Sequence, residues 1–136
     1  MTDEQRKQCF EKYYAHTGFN AHNGIRLVDV DDGACVVEVT LSPEGLNPLE
    51  IAHGGLIFSL CDVATGVAAR SGGRSTVSQD ASISYLRPGR NTAKLTAKGR
   101  VLKEGRYTGV CEAEVFTDDG TLIAKSTVTV FFVDAR

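Results

Sequence analysis

Two hydrophobic periods divide the chain. Residues 25–31 and 34–42 read as paired strands around the turn Asp31-Asp32-Gly33, and in the second Val37, Val39 and Leu41 alternate with Glu38 and Thr40. From Gly55 to about Arg70 the chain is rich in Leu, Ile, Val and Ala and holds no Pro, which favours one long helix. Four longer strands follow at about 75–87, 93–104, 106–117 and 121–133, punctuated by Pro88-Gly89, Gly105 and Asp118-Asp119-Gly120. In the last of them Leu122, Ala124, Ser126, Val128, Val130 and Phe132 alternate with Ile123, Lys125, Thr127 and Thr129, so one face of the sheet is the more buried. Residues 3–16 form an amphipathic pattern with Cys9, Phe10, Tyr13 and Tyr14 on one side, ending before Gly18. The order predicts an α+β fold in one domain, residues 1–136, in which an antiparallel sheet wraps a central helix and residues 1–18 add an N-terminal helix.

The long helix carries the candidate chemistry. Asp62 is the one charge in its interior, between Cys61 and Val63, and a buried unpaired carboxylate would cost several kcal/mol, so it must find partners or shift its pKa. Residues 55, 59, 62, 66 and 69 fall on one stripe and read Gly, Ser, Asp, Gly, Ala, which predicts that Asp62 looks into a cleft. The opposite stripe, Leu56, Leu60, Val63 and Val67 with Ile57 and Ala64 beside it, is expected to pack on the sheet. A structural Asp bonded to nearby backbone is an equal reading of the stripe alone, and His53 alone reads as an N-cap neighbour or a loop histidine. At the helix mouth, His53-Gly54-Gly55 offers unpaired backbone N–H groups and a partial positive charge where an oxygen could become negative.

Composition narrows the rest. A chain of 136 residues that is 42% apolar suits a single domain with an ordinary core, and a net charge of −2 gives no basic footprint for nucleic acid. Met1-Thr2-Asp3-Glu4-Gln5-Arg6-Lys7-Gln8 is charged where a signal peptide needs an apolar core, and no run approaches membrane-spanning length; a cytoplasmic protein without membrane partners is expected. Cys9, Cys35, Cys61 and Cys111 lack Cys-x-x-Cys spacing, and His16, His22 and His53 form no ligand pair, so free thiols and no metal are expected. No Gly-x-Ser-x-Gly, Gly-x-Gly-x-x-Gly, Walker A or His-Glu-x-x-His occurs.

The ordered set Asn47, His53-Gly54-Gly55 and Asp62, followed by Tyr85-Leu86-Arg87-Pro88-Gly89, Gly105-Arg106 and Asp119-Gly120, resembles the hotdog-fold thioesterases of the phenylacetic-acid-degradation (PaaI-like) branch over most of the chain from about Asn20. One departure is Glu50, where many relatives carry Gly; it bears on whether the loop after Asn47 takes the family's backbone path. The resemblance implies hydrolysis of acyl-CoA thioesters without a cofactor. Asn47 and the Gly54 N–H would polarise the carbonyl, Asp62 would activate water or attack directly, with general base favoured, Ser78 would orient the water, and His53 would support the loop or contact the thioester. Ser78 also reads as an ordinary member of a polar stripe with Asp80, Ser82 and Ser84, and Asp80 reads as a structural carboxylate. Gly55 lets a substrate come close, and among the turn cations Arg87, Arg90, Lys103 and Arg106, the first and last are the candidates for CoA phosphates. A non-catalytic acyl-CoA-binding or regulatory hotdog domain, and a hotdog dehydratase or hydratase, are the competing readings.

Helix arithmetic adds an assembly. His53 and Asp62 stand about 13 Å apart along a continuous helix and about 180° around it, so one copy cannot easily bring both to one thioester. A homodimer that sets the helix start of one subunit against Asp62 of the other can, and the resemblance implies such dimers, often paired into homotetramers.

Overall fold

The computed structural model describes residues 1–13 and 18–134. Two N-terminal helices, α1 (Asp3–Tyr13) and α2 (Gly18–His22), precede the hairpin β1 (Ile25–Asp31) and β2 (Ala34–Thr40). A 3-10 turn at Pro43–Gly45 leads to α3 (Gly54–Arg70), and β3 (Thr76–Tyr85), β4 (Lys94–Glu104), β5 (Thr108–Phe116) and β6 (Leu122–Phe132) complete the chain. All six strands join one antiparallel sheet in the order β1-β2-β4-β5-β6-β3. The sheet curls around α3, which touches every strand and lies closest along β4, β2 and β5. This is the wrapped-helix arrangement expected from the element order. α2 and the 3-10 turn were not anticipated, being too short to impose a period, and positions 14–16 of the expected N-terminal helix lie outside the described residues.

Burial follows strand parity. In β6 the even positions from Ala124 to Phe132 are buried while Lys125, Thr127 and Phe131 are exposed, and the inward residues of β2, β4 and β5 (Val37, Leu95, Ala97, Ala113, Val115) meet Leu60 and Ala64 of α3 in one core. The face of α3 is rotated from the expected one. Cys61, Thr65, Gly66, Ala68 and Ala69 are buried along with Ile57, Leu60, Ala64 and Val67, whereas Leu56 and Val63 are only half-buried. A curled sheet covers a wider arc of the helix than a flat one, so the small-residue stripe stays open only in its first half. There Gly55 and Phe58 are exposed, and Ser59 and Asp62 are half-buried.

The two edges of the sheet are finished differently. Along β1, α1 packs against the strand and the Arg6 Nε donates to the Val30 carbonyl at 2.9 Å. β3 pairs with β6 on one side and, among the described residues, with no strand on the other. An open ten-residue edge whose one charged side chain is Asp80 is the kind of surface a sheet extends across.

Helix and sheet meet most tightly at Gly99 of β4. A Cβ there would stand 2.6 Å from the Ala64 carbonyl carbon and 2.7 Å from its oxygen, backbone atoms with no rotamer to change. Gly99→Ala should therefore force α3 off the sheet and lower unfolding free energy by about 2 kcal/mol, within the range for an overpacked core. Denaturant unfolding at fixed protein concentration measures it, and a loss under about 0.5 kcal/mol would show that the helix lifts without strain.

Candidate active site

A short hairpin delivers the chain to α3. Leu46 and Ala52 form a bridge, the Asn47 N–H donates to the Ile51 carbonyl at 2.8 Å, and the Glu50 N–H donates to the Asn47 carbonyl at 2.9 Å, closing a turn with Pro48 at its second position. The Asn47 side chain braces this turn: its Oδ1 accepts from the N–H of Leu49 at 2.9 Å and of Ile51 at 3.3 Å. That leaves Nδ2 as the free donor, without an acceptor among the described residues. Glu50 sits at φ 61, the left-handed region that glycine enters without penalty. The loop thus keeps a path that suits Gly, and Glu50 adopts it under strain.

The helix begins one residue earlier than expected. His53 is its N-cap, at φ −65 and ψ 135, and its Nδ1 accepts from the Gly55 N–H at 2.8 Å, which requires that nitrogen to carry no proton. The Gly54 N–H, in the first turn where no intrahelical partner exists, has no acceptor among the described residues. Asn47 and Gly54 line one cleft of about 360 Å³ with Ile57, Tyr85 and Arg87. Two residues that carry unpaired donors therefore border the same small space. Gly55 and His53 line a different cavity, about 550 Å³, on the α2 side of the helix start with Phe19, Leu56 and Ser59.

Asp62 finds its partner on β3, where the Ser78 Oγ donates to its Oδ1 at 2.5 Å. A bulge makes this possible. Opposite β6 the register passes from Ser78↔Val130 to Asp80↔Thr129, leaving Gln79 unpaired. Ser78 thus shares the helix-facing side with Ala81, Ile83 and Tyr85, whose partners on β6 are Val128, Ser126 and Ala124. Asp80, Ser82 and Ser84 point to the other face. The polar stripe of Ser78, Asp80, Ser82 and Ser84 is accordingly not one stripe, and Asp80 is turned away from α3.

These elements form two half-sites rather than one. The Gly54 end is tied to the last residue of β3, since the Tyr85 hydroxyl donates to the Gly54 carbonyl at 2.8 Å, whereas Asp62 is tied to Ser78. At about 3.3 Å per residue the two attachment points lie roughly 20 Å apart along the strand. Arg87 belongs to the Gly54 half, where its Nη1 donates to the Leu122 carbonyl at 2.6 Å. Arg106 lies at the far end of β6, in the β4–β5 turn, with its guanidinium 5.2 Å from the Tyr107 ring centre. Tyr85 had no role assigned from the sequence; its position at the end of a strand that leads to the glycine turn is visible only once the sheet is assembled.

The thioesterase superfamily model matches residues 49–124, the span that holds the helix start, Asp62, the bulged strand and most of the sheet. The chain belongs to the thioesterase superfamily. It is 36% identical over 101 residues to acyl-coenzyme A thioesterase PaaI of Escherichia coli, covering 74% of this chain and 72% of that one. The solved structure of E. coli PaaI superposes with a TM-score of 0.91 at 28% identity over 99% of this chain and 98% of the other, and its fold is the hotdog described above. A hypothetical thioesterase of Streptococcus pneumoniae, solved with coenzyme A, superposes with a TM-score of 0.77 at 33% identity over 82% and 88% of the two chains.

The strained turn gives a direct test of the loop geometry. Glu50→Gly should relieve the left-handed backbone and raise stability by about 0.5–1 kcal/mol, the left-handed penalty less the extra entropy of glycine in the unfolded chain. Denaturant unfolding measures the gain, and a loss of stability would mean that residue 50 is unstrained.

Proposed function

We propose that this thioesterase-superfamily protein hydrolyses acyl-CoA thioesters to the free acid and CoA. The observation that carries the reading is the pair of unpartnered donors, Gly54 N–H and Asn47 Nδ2, on one cleft. A thioester oxygen held between them accumulates charge as the carbonyl carbon becomes tetrahedral, and fixed donors lower that barrier. The hydroxyl of Ser78 and the carboxylate of Asp62 then act on water. Asp62 takes the proton as water attacks, the carbon–sulfur bond breaks, and the proton is returned to the departing thiolate. The membership of the family, and the coenzyme A held by the S. pneumoniae thioesterase, support the substrate class.

The two half-sites meet across a homodimer in this reading. A two-fold axis near Ser82 pairs β3 with its copy antiparallel, with Ala81 opposite Ile83, and lays the Ser78–Gln79 bulge of one strand beside Tyr85 of the other. The partner subunit's Asp62 then stands at the Gly54 cleft, and the partner subunit's Arg106 approaches the same end as Arg87. Two cations from different subunits can thus serve the CoA phosphates. Support comes from the open edge of β3 and from exposed Phe58, Tyr85 and Leu86 beside it. Paired dimers would give a tetramer. Four unpaired cysteines fit a reducing compartment such as the cytoplasm.

Thiol release across a panel of aryl and aliphatic acyl-CoA substrates tests the activity, and turnover of at least one is expected. Binding without turnover would instead make the chain an acyl-CoA-binding domain. On the best substrate, Asp62→Asn should keep fold and KM while kcat falls by roughly 10² or more, the scale of a positioned acid–base group. A near-normal kcat would remove Asp62 from the mechanism.

Mixing tests the shared site. Asn47→Asp keeps the acceptor that braces the turn and loses the donor; co-refolded with Asp62→Asn at equal amounts, it should recover roughly a quarter of wild-type activity, because about half the dimers are mixed and each has one intact site. No recovery, with mixed dimers verified by differential tagging, would place both residues of a site in one subunit.

A further inference from the structure

The peptide unit joining Gly54 to Gly55, in the first turn of α3 beside the cleft, has no Cβ on either side to restrict it. It is held at both ends. Its carbonyl accepts from the Tyr85 hydroxyl at 2.8 Å, and its N–H donates to His53 Nδ1 at 2.8 Å. The preceding peptide unit carries the unpartnered Gly54 N–H, and its own carbonyl, that of His53, accepts from the N–H of Leu56 at 3.0 Å and of Ile57 at 3.1 Å. With both planes hydrogen-bonded, the direction of the Gly54 N–H is restricted from both sides. The Tyr85 ring adds contact, lying 3.3 Å from the place a Cβ would take on Gly54.

We propose that Tyr85 is a positioning residue: together with His53 it clamps the Gly54–Gly55 peptide and so aims the Gly54 N–H at the thioester oxygen. The inference rests on the hydrolytic reading of this cleft and adds to it a residue that acts through the donor rather than on the substrate. The Tyr85 side chain is half-exposed, and the desolvation of its covered part raises the phenol above an ordinary value that already keeps it protonated, so it is a donor at neutral pH. Tyr85 closes β3, the strand whose open edge would carry the partner, so the clamp ties the donor to the element on which assembly depends.

Tyr85→Phe deletes the hydroxyl and keeps the ring. It should lower kcat about tenfold through a misdirected donor. KM should stay within about twofold, as expected when an interaction specific to the transition state is weakened. His53→Ala should act in the same direction, and His53→Asn, which offers a capping oxygen to the same N–H groups, should restore most of the loss. Because both side chains hold one peptide unit, the double variant Tyr85→Phe/His53→Ala should lose less than the product of the single effects. A rise in KM with unchanged kcat would make Tyr85 a substrate-contacting wall and overturn the proposal. Amide hydrogen exchange at Gly55 gives a second readout that needs no substrate: it should quicken several-fold in Tyr85→Phe, and unchanged exchange would overturn the clamp. Wild type inactive on every substrate would defeat the hydrolytic reading, while the exchange data would still decide whether the clamp exists.

Discussion

The missing side chain at Gly99 sets the height of the central helix, and the site inherits its geometry from that height. With backbone nearly touching backbone at Ala64, the flanking residues Leu60 and Val67 reach into the space between α3 and the sheet, and Leu95, Ala97 and Ala113 close it from below. A helix packed with ordinary side chains at its crossing point would stand farther out. Asp62, two residues before Ala64, would then lift away from Ser78, and the start of α3 would leave Tyr85. Both polar contacts that define the half-sites are thus downstream of an apolar fit.

The bulge at Gln79 plays a comparable part on the sheet. One unpaired residue exchanges the faces of β3 midway, so the strand presents Ser78 to the helix at one end and Tyr85 to the helix at the other, with Asp80 between them directed outward. Without it, the parity that turns Tyr85 inward would turn Ser78 outward. A single strand could not then serve both the carboxylate and the glycine turn. The open edge and the bulge belong together, since edge strands accommodate bulges with least loss of pairing.

Much of this was legible in the residues. The strands and the long helix fall within a few positions of where their periods place them, and the alternation in β6 names the buried face from Ala124 onward, with Ser126 buried among the apolar residues. Before it, beside the register shift at Val115 and Phe116, Ile123 is buried and Leu122 only half-buried, the reverse of the expected parity. β3 resisted the same reading because Ser, Gln, Asp and Ser give no apolar parity from which a bulge could be noticed. The face of α3 was misjudged by about one position because the pattern of small residues does not reveal how far a curled sheet will wrap. Glu50 was visible as a departure from glycine, but only the observed φ shows that the loop kept the glycine path and placed the strain on the glutamate. Asp62 and the His53-Gly54 helix start could be singled out from the helix pattern, and Asn47 only through the resemblance to the family; that they lie in two separated groups required the sheet.

Chemistry that liberates a thiol beside a protein rich in its own thiols carries a hazard of self-acylation and mixed-disulfide formation. Three of the four cysteines are protected from it by burial. Burial pushes the Cys35 thiol up to about 12 and Cys111 up to about 11, and it raises Cys61, the immediate neighbour of Asp62, as well. Thiolate is the form that attacks thioesters and disulfides, so these residues are kept both out of reach and in the unreactive form. The rotation of α3 that directs Asp62 toward Ser78 also turns Cys61 into the core. One helical step separates the carboxylate proposed to activate water from a sulfur that, if exposed, would compete for the acyl group.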